Sequence, residues 1–383
     1  MTLDDRDRLI EWLLVNGGPI VRYRTARELC GDLPAIELDR LERELLAVPR
    51  AQQELARLEL GDLAPALEHL TPPGLARLSK LVHGSQPGAL ENVLGRLNEL
   101  GLRAGMPDLD RRMAPLSRIF QCPEQTGTPW DIFWLRLIKS IFAWGLLRAG
   151  YRPDSAMQDY LCGHIETLHK IARDHLYDLY ASGDALKGLP RAWAGKPILK
   201  PEIMAAYHLP LIHDLYVLAH LPAWMVDDDI GGKIDELIGY VIDPRFQSLR
   251  RGYGYAWIKE RHACYAWGWS PHLVGFHDLN WQEPDPTGSL VQQMELMARF
   301  RAARESRWFQ AALRYLEFFR TGEGAYCFPP HLLRDQPTGY YVSGACMGLG
   351  ENRRTRRGLE IESTFHRARI RAAESGCFDR ILL

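Results

Sequence analysis

Apolar residues recur at helical spacing along almost the whole chain, and alternating runs of the kind a strand needs occur in one place only. That imbalance points to an all-α fold more firmly than any motif does. Leu9, Ile10, Leu13 and Leu14 make one helical face, and Val21, Tyr23, Ala26 and Leu29 begin another after Gly17-Gly18-Pro19. Segments 39–46 and 52–60 keep the period with many charges, as solvent-facing helices do. Leu90, Val93, Leu94, Leu97 and Leu100 form a clean stripe that stops at Gly101.

The sharpest helix start is Thr128-Pro129-Trp130-Asp131. Thr128 can cap, Pro129 suits the first helical position, and Asp131 completes an acidic capping box. The helix should run through 132–148 and end near Gly150. Further helices are expected at 157–179, at 202–218, and after Gly231-Gly232 through Ile234, Leu237 and Ile238. A helical hairpin of 290–303 and 308–319 should follow, with 359–373 closing the fold. The Pro- and Gly-rich stretches 121–127, 183–200 and 280–288 read as loops. The long helices start near 131, 157, 201, 233, 290 and 306, without a fixed period. That describes a degenerate array of helical hairpins rather than a consensus solenoid. Residues 1–120 are expected to form more polar helices packed on the remainder, 121–383.

The one exception to the helical pattern is also the richest stretch chemically. Residues 253–281 hold Tyr253, Tyr255, Trp257, Tyr265, Trp267, Trp269, Phe276 and Trp281, in a chain that is 10% aromatic overall. His262, His272, His277, Asp278, Lys259 and Arg261 are interleaved with them. Rings mixed with titratable groups suit a ligand cavity. Tyr253/Tyr255/Trp257 and Tyr265/Trp267/Trp269 alternate with small residues, and Lys259–His262 could turn a hairpin. The pairs 253/257 and 265/269 also fit one face of a helix, and the helical neighbours favour that alternative.

Several landmarks carry a resemblance. They are Val21-Arg22-Tyr23-Arg24-Thr25, His83-Gly84-Ser85, 100–107, Gly268-Trp269-Ser270-Pro271-His272, 340–350, Glu351-Asn352-Arg353-Arg354 and 360–365. With these the chain resembles a group of bacterial proteins similar to the prenyltransferase and squalene-cyclase-like (terpenoid-cyclase-like) α/α toroids. The resemblance implies antiparallel helical hairpins around a central cavity, and no particular activity. The acid motif DxDD of class II cyclases is absent, and so are recognisable Gln-Trp repeats. Asp227-Asp228-Asp229 is followed by Ile230-Gly231-Gly232, so the magnesium motif DDxxD fails too. Only the architecture carries over.

Candidate residues divide by chemistry. The aromatic segment could stabilise a cation or stack on a flat ligand, or simply fill the interior. Asp228, between two other carboxylates, could hold a proton and act as an acid, although a helix N-terminal cap is the plainer role. In 340–351 three glycines lead to Glu351, Arg353 and Arg354, which could clamp an anion or place a general acid; the alternative is an ion-paired surface segment. His262, Cys264, His272, His277 and Asp278 are metal-binding types, but their spacing matches no zinc signature. His208, His213 and His220 read as core or surface histidines. Cys264 and Cys346 are the thiols to test as nucleophiles.

The expected function is an enzyme acting on a small, partly apolar molecule in an aromatic-lined toroid cavity, by acid–base or carbocation-type chemistry (cyclase, isomerase or lyase). Glu351 or Asp228 would be the acid, with His262 a further catalytic candidate. Tyr253, Tyr255, Trp257, Tyr265, Trp267, Trp269, His272, Tyr340 and Tyr341 would shape the pocket, and Arg353 or Arg354 would hold an anionic group. The alternatives are a carbohydrate-active α/α-barrel hydrolase or lyase, and a non-catalytic scaffold for a ligand or peptide. No cofactor or metal is expected. A net charge of −1, from 47 basic and 48 acidic residues, argues against nucleic acid as a partner. Segment 132–147 is too short and too charged to span a membrane. Seven scattered cysteines without a CxxC, and a charged N-terminus, fit a cytoplasmic protein.

Overall fold

The computed structural model describes residues 3–30, 33–58, 67, 70–123, 128–279 and 288–374. Trp281 and Cys377 lie outside them, as do residues 124–127 and 280–287 of two expected loops. Helices α1 (Leu3–Asn16), α2 (Pro19–Glu28), α3 (Ala35–Leu46), α4 (Pro49–Arg57), α5 (Pro72–Val82), α6 (Leu90–Glu99) and α7 (Pro107–Met113) lead to the longest, α8 (Pro129–Arg148). Then come α9 (Ser155–Arg173), α10 (Pro201–Ala206), α11 (Ile212–Leu218), α12 (Asp228–Ile242) and α13 (Pro244–Gln247). Strands β1 (Tyr255–Ile258) and β2 (Ala263–Ala266) precede α14 (Leu290–Met297), α15 (Arg301–Arg304), α16 (Arg307–Glu317) and α17 (Arg356–Glu374). The fold is all-α with a single two-stranded hairpin among the described residues. None of its described helices is long and apolar enough to cross a membrane.

Helix α8 sits at the centre because it is apolar nearly all round. Its residues 137–147 are buried without a break, and it packs on α5, α6, α11 and β1. Thr128 and Asp131 close the expected capping box: Thr128 Oγ1 accepts from the Asp131 N–H, and Asp131 Oδ2 accepts from the Thr128 N–H at 2.9 Å. The helix ends at Arg148, two residues before Gly150, whose left-handed φ of +89° turns the chain away. The stripe at 90–100 ends likewise, at Gly101 (φ +86°). One continuous apolar core runs from Leu9 to Ala373, with α1 and α2 packed on α17.

The structure corrects four expectations. Segment 253–270 is a hairpin and not helical: Tyr255 pairs with Ala266 and Trp257 with Cys264. Left-handed φ values at Gly252, Tyr253, Gly254, His262, Gly268 and Trp269 interrupt any helix there. Segment 202–218 divides into α10 and α11, because Pro210 offers no N–H and drives Leu209 away from helical angles. The helix expected to reach 179 ends at Arg173, shortly before His175 in the left-handed region. Segment 290–303 breaks between α14 and α15, where Phe300 is extended.

Candidate functional site

The first turns of α8 set Trp130, Phe133 and Trp134 on one face, at helical i, i+3 and i+4 spacing. The chain leaving β2 lays its own rings against that face. Trp130 stacks on Tyr265 with centroids 4.6 Å apart, and Phe133 meets Trp267 at 4.6 Å. Arg261, in the hairpin turn, donates to both carboxylate oxygens of Asp131 at 3.0 and 2.9 Å and so ties the hairpin to the helix start. Further along, the Ile212 N–H donates to the Trp269 carbonyl at 2.8 Å, which fixes this strand exit to α11.

Between these elements lies a cavity of about 640 Å³, walled by Trp130, Trp134, Tyr265, Trp267, Trp269 and His83. Residues of α14 and of the turn at 342–343 close its far side. That volume falls within the range of small-molecule sites. The indole N–H of Trp267 is buried and has no partner in the protein, so it can orient an oxygen-bearing guest. Trp269 holds a left-handed φ of +61°, a conformation that costs a bulky residue about 1 kcal/mol or more and that concentrates at functional sites.

Behind the aromatic wall stands a polar cluster. His83, just past α5, presents Nδ1 to Glu91 Oε2 of α6 at 2.5 Å. Its other nitrogen, Nε2, accepts from the Trp269 indole N–H at 2.8 Å. On the far side of the carboxylate, Nε2 of His213 in α11 lies 3.3 Å from Glu91 Oε1. Glu91 and His213 are fully buried. Burial alone would raise the Glu91 pKa, but the imidazoles of His213 and His83 outweigh it and bring the carboxyl down to about 2. Among the described residues, these three form a group of His, Cys, Asp or Glu close enough to hold a metal ion.

Only some of the residues chosen from sequence meet here. Tyr265, Trp267, Trp269 and His272 line the cavity. Tyr340 packs on His83 and Trp269 with centroids 4.9 and 4.5 Å away. The others lie elsewhere. Tyr253 is fully buried and donates to the Pro210 carbonyl at 2.6 Å. Tyr255 packs on Trp193, and Trp257 lies under Lys259. Tyr341 donates to Glu99 Oε1 at 2.6 Å in a buried ionic network.

None of the three proposed acid–base residues is among those that wall the cavity. His262 is exposed in the hairpin turn, and Asp228 is exposed in the first turn of α12, which Asp227 caps. Glu351 accepts from the Gly18 N–H at 2.6 Å, and burial raises its pKa. Arg353 is bound to Glu362 and to the Met347 carbonyl, while Arg354 is exposed. His277 and Asp278 are exposed as well. Burial pushes the Cys264 and Cys346 thiols up, which leaves both poor nucleophiles at neutral pH.

Nothing in the sequence singles out Glu91, and His213 reads there as a core or surface histidine. Glu91 sits inside an apolar stripe next to Leu90, where its own period marks nothing unusual. His213 and His208 look alike in sequence, yet the break at Pro210 sends them to different carboxylates. His208 Nε2 lies 3.5 Å from Asp214, and His164 reaches the same carboxylate at 3.0 Å. Asp214 also accepts from Ser140 Oγ and the Leu211 N–H, joining α8, α9 and α11 in a second buried knot. No protein-family model, curated protein or solved structure matches this chain.

Proposed function

We propose that this chain is an enzyme that takes a small, partly apolar molecule into the aromatic cavity and acts on it there, as a cyclase, isomerase or lyase would. One observation carries the reading: a cavity of about 640 Å³ is walled by five indole and phenol rings and abuts the His83–Glu91–His213 cluster. Ring faces there can stabilise developing positive charge, and the free indole N–H of Trp267 supplies orientation. The chemistry passes from Glu351 and Asp228 to this cluster, of which His83 faces the guest. The toroid arrangement belongs to the same proposal, with helical hairpins enclosing the cavity. The carbohydrate alternative draws no support from the wall, since no Asp or Glu occurs among its described residues to form the carboxylate pair a glycosidase needs.

Geraniol serves as a small, partly apolar probe, followed by tryptophan fluorescence. Saturable binding is expected, weakened about tenfold or more in Trp267→Ala, or roughly 1.4 kcal/mol. Identical titrations, or none that saturate, would end the cavity reading. Catalysis is tested separately by incubating the protein with a small-molecule extract and comparing mass spectra with those from His83→Ala. A compound consumed by the wild type alone is expected; matching spectra leave only the non-catalytic scaffold.

A further inference from the structure

We propose that His83, Glu91 and His213 form a binding site for a divalent transition-metal ion beside the aromatic cavity. One ligand atom from each residue lies within 4.8 Å of the other two. Metal–ligand bonds of about 2.0–2.2 Å place neighbouring donors of a tetrahedral shell roughly 3.3–3.5 Å apart. The 3.3 Å between His213 Nε2 and Glu91 Oε1 already has that spacing.

The hydrogen bonding leaves this cluster incomplete. Glu91 Oε1 and both ring nitrogens of His213 are buried without a hydrogen-bond partner. Buried polar atoms are nearly always paired, and Glu91 Oε1 and His213 Nε2 face each other at 3.3 Å, so one ion between them would take a lone pair from each. Charge says which kind. A fully buried carboxylate requires positive charge beside it, and the two imidazoles adjoin it. The Trp269 indole can only donate, so His83 Nε2 carries no proton, and the one ring proton sits at Nδ1 facing Glu91. A cation coordinated by Glu91 and by a lone pair of each ring supplies that charge and uses Glu91 Oε1 and His213 Nε2, the unpaired atoms that face each other.

The donors also suit a metal by type and placement. Two histidines and one carboxylate, with further positions open, are the ligand pattern of catalytic zinc and of non-haem iron(II). The three come from separate packed elements: the end of α5, the start of α6 and the first turn of α11. His83 lines the cavity, so an ion held here would polarise an oxygen atom of a bound molecule. That last consequence rests on the proposed function; the binding itself does not. Metal binding at His83 Nδ1 moves the ring proton to Nε2, where it meets the Trp269 N–H, so the indole must turn away.

The test uses the full-length protein, stripped with EDTA and dialysed against Zn2+ or Co2+, with bound metal counted by mass spectrometry. About one ion per chain is expected, held at micromolar free metal or below, with Co2+ giving visible bands of a nitrogen–oxygen shell. Affinity should fall about tenfold or more in His83→Ala and His213→Ala. Zinc should change the tryptophan emission of the wild type much more than that of Trp269→Phe. Replacing buried His213 endangers the fold, so circular dichroism accompanies each variant, and His83→Ala tests the same shell from the cavity side. Wild-type protein that takes up neither ion at about 100 µM overturns the proposal. So do folded variants that bind as tightly as the wild type. No guest molecule enters these measurements, so the geraniol experiment can fail while this one succeeds, and the reverse.

Discussion

His272 shows how the cavity wall sets the charge of a single ring. Its Nε2 donates to the Leu249 carbonyl at 3.0 Å, so that nitrogen holds the proton. Ser270 Oγ accepts from the Gly252 N–H at 2.7 Å and turns its hydroxyl proton toward His272 Nδ1, also at 2.7 Å. Both nitrogens are therefore committed in the neutral form, and burial lowers the pKa to about 4. An unfolded histidine titrates near 6.5, so between these values the unfolded chain binds more protons and stability rises with pH. The contribution is fully present above about 6.5 and is lost as pH falls toward 4, at most about 3 kcal/mol. Urea unfolding at pH 7.5, 6.0 and 5.0 should show the wild type weakening more steeply than His272→Asn. Burial and Arg299 lower the His220 pKa as well, but that slope is common to both proteins, so equal slopes would refute the assignment to His272. His272 was legible in the sequence because it lies within the aromatic run. Glu91 and His213 were not, because their meaning comes from an encounter between α6 and α11 that no local pattern records.

At the scale of elements, the junction of α8 with the hairpin carries two distinguishable interactions. Thr128→Ala removes only the cap and should cost about 1 kcal/mol. Asp131→Ala removes the reciprocal cap and also the Arg261 contact. Arg261 is partly exposed, so the pair adds less than about 1 kcal/mol. Asp131→Ala should therefore destabilise more in urea, and it alone should speed amide exchange at residues 263–266. The reverse order would show that the hairpin does not depend on Asp131. The helix itself could be read from its sequence because cap, proline and terminal glycine all act within a turn of the chain. The hairpin could not, since Tyr253/Trp257 and Tyr265/Trp269 satisfy both periods. What decides between them is left-handed backbone at Gly252, Gly254 and Gly268, together with Tyr253 and Trp269, two residues that composition would never place there. The break at Pro210 was visible as a residue, yet the apolar period on both sides concealed it.

Across the whole molecule, one buried ionic network joins the two ends of the chain. Glu99 of α6 accepts from Arg24 of α2 at 3.1 Å, from Arg148 of α8 at 2.7 Å and from Tyr341 at 2.6 Å. Arg369 of α17 reaches Glu28 at 2.9 Å and Glu295 at 2.6 Å. Burial raises the Glu99 pKa, but Arg148, Arg24 and Arg369 more than reverse this and hold it ionised. Removing one partner from such a group leaves the others charged and buried. Glu99→Gln, which keeps the shape and loses the charge, should cost about 3–5 kcal/mol. A chain cut to 121–383 would retain Arg148, Tyr341 and Arg369 while losing Glu99 and Glu28 together. It should therefore lack a cooperative transition in circular dichroism, whereas the whole chain unfolds in one step with coincident ellipticity and tryptophan emission. A fragment 121–383 that melted cooperatively by itself would show that the arginines tolerate water in place of Glu99, and that the network fastens two independent units instead of completing one.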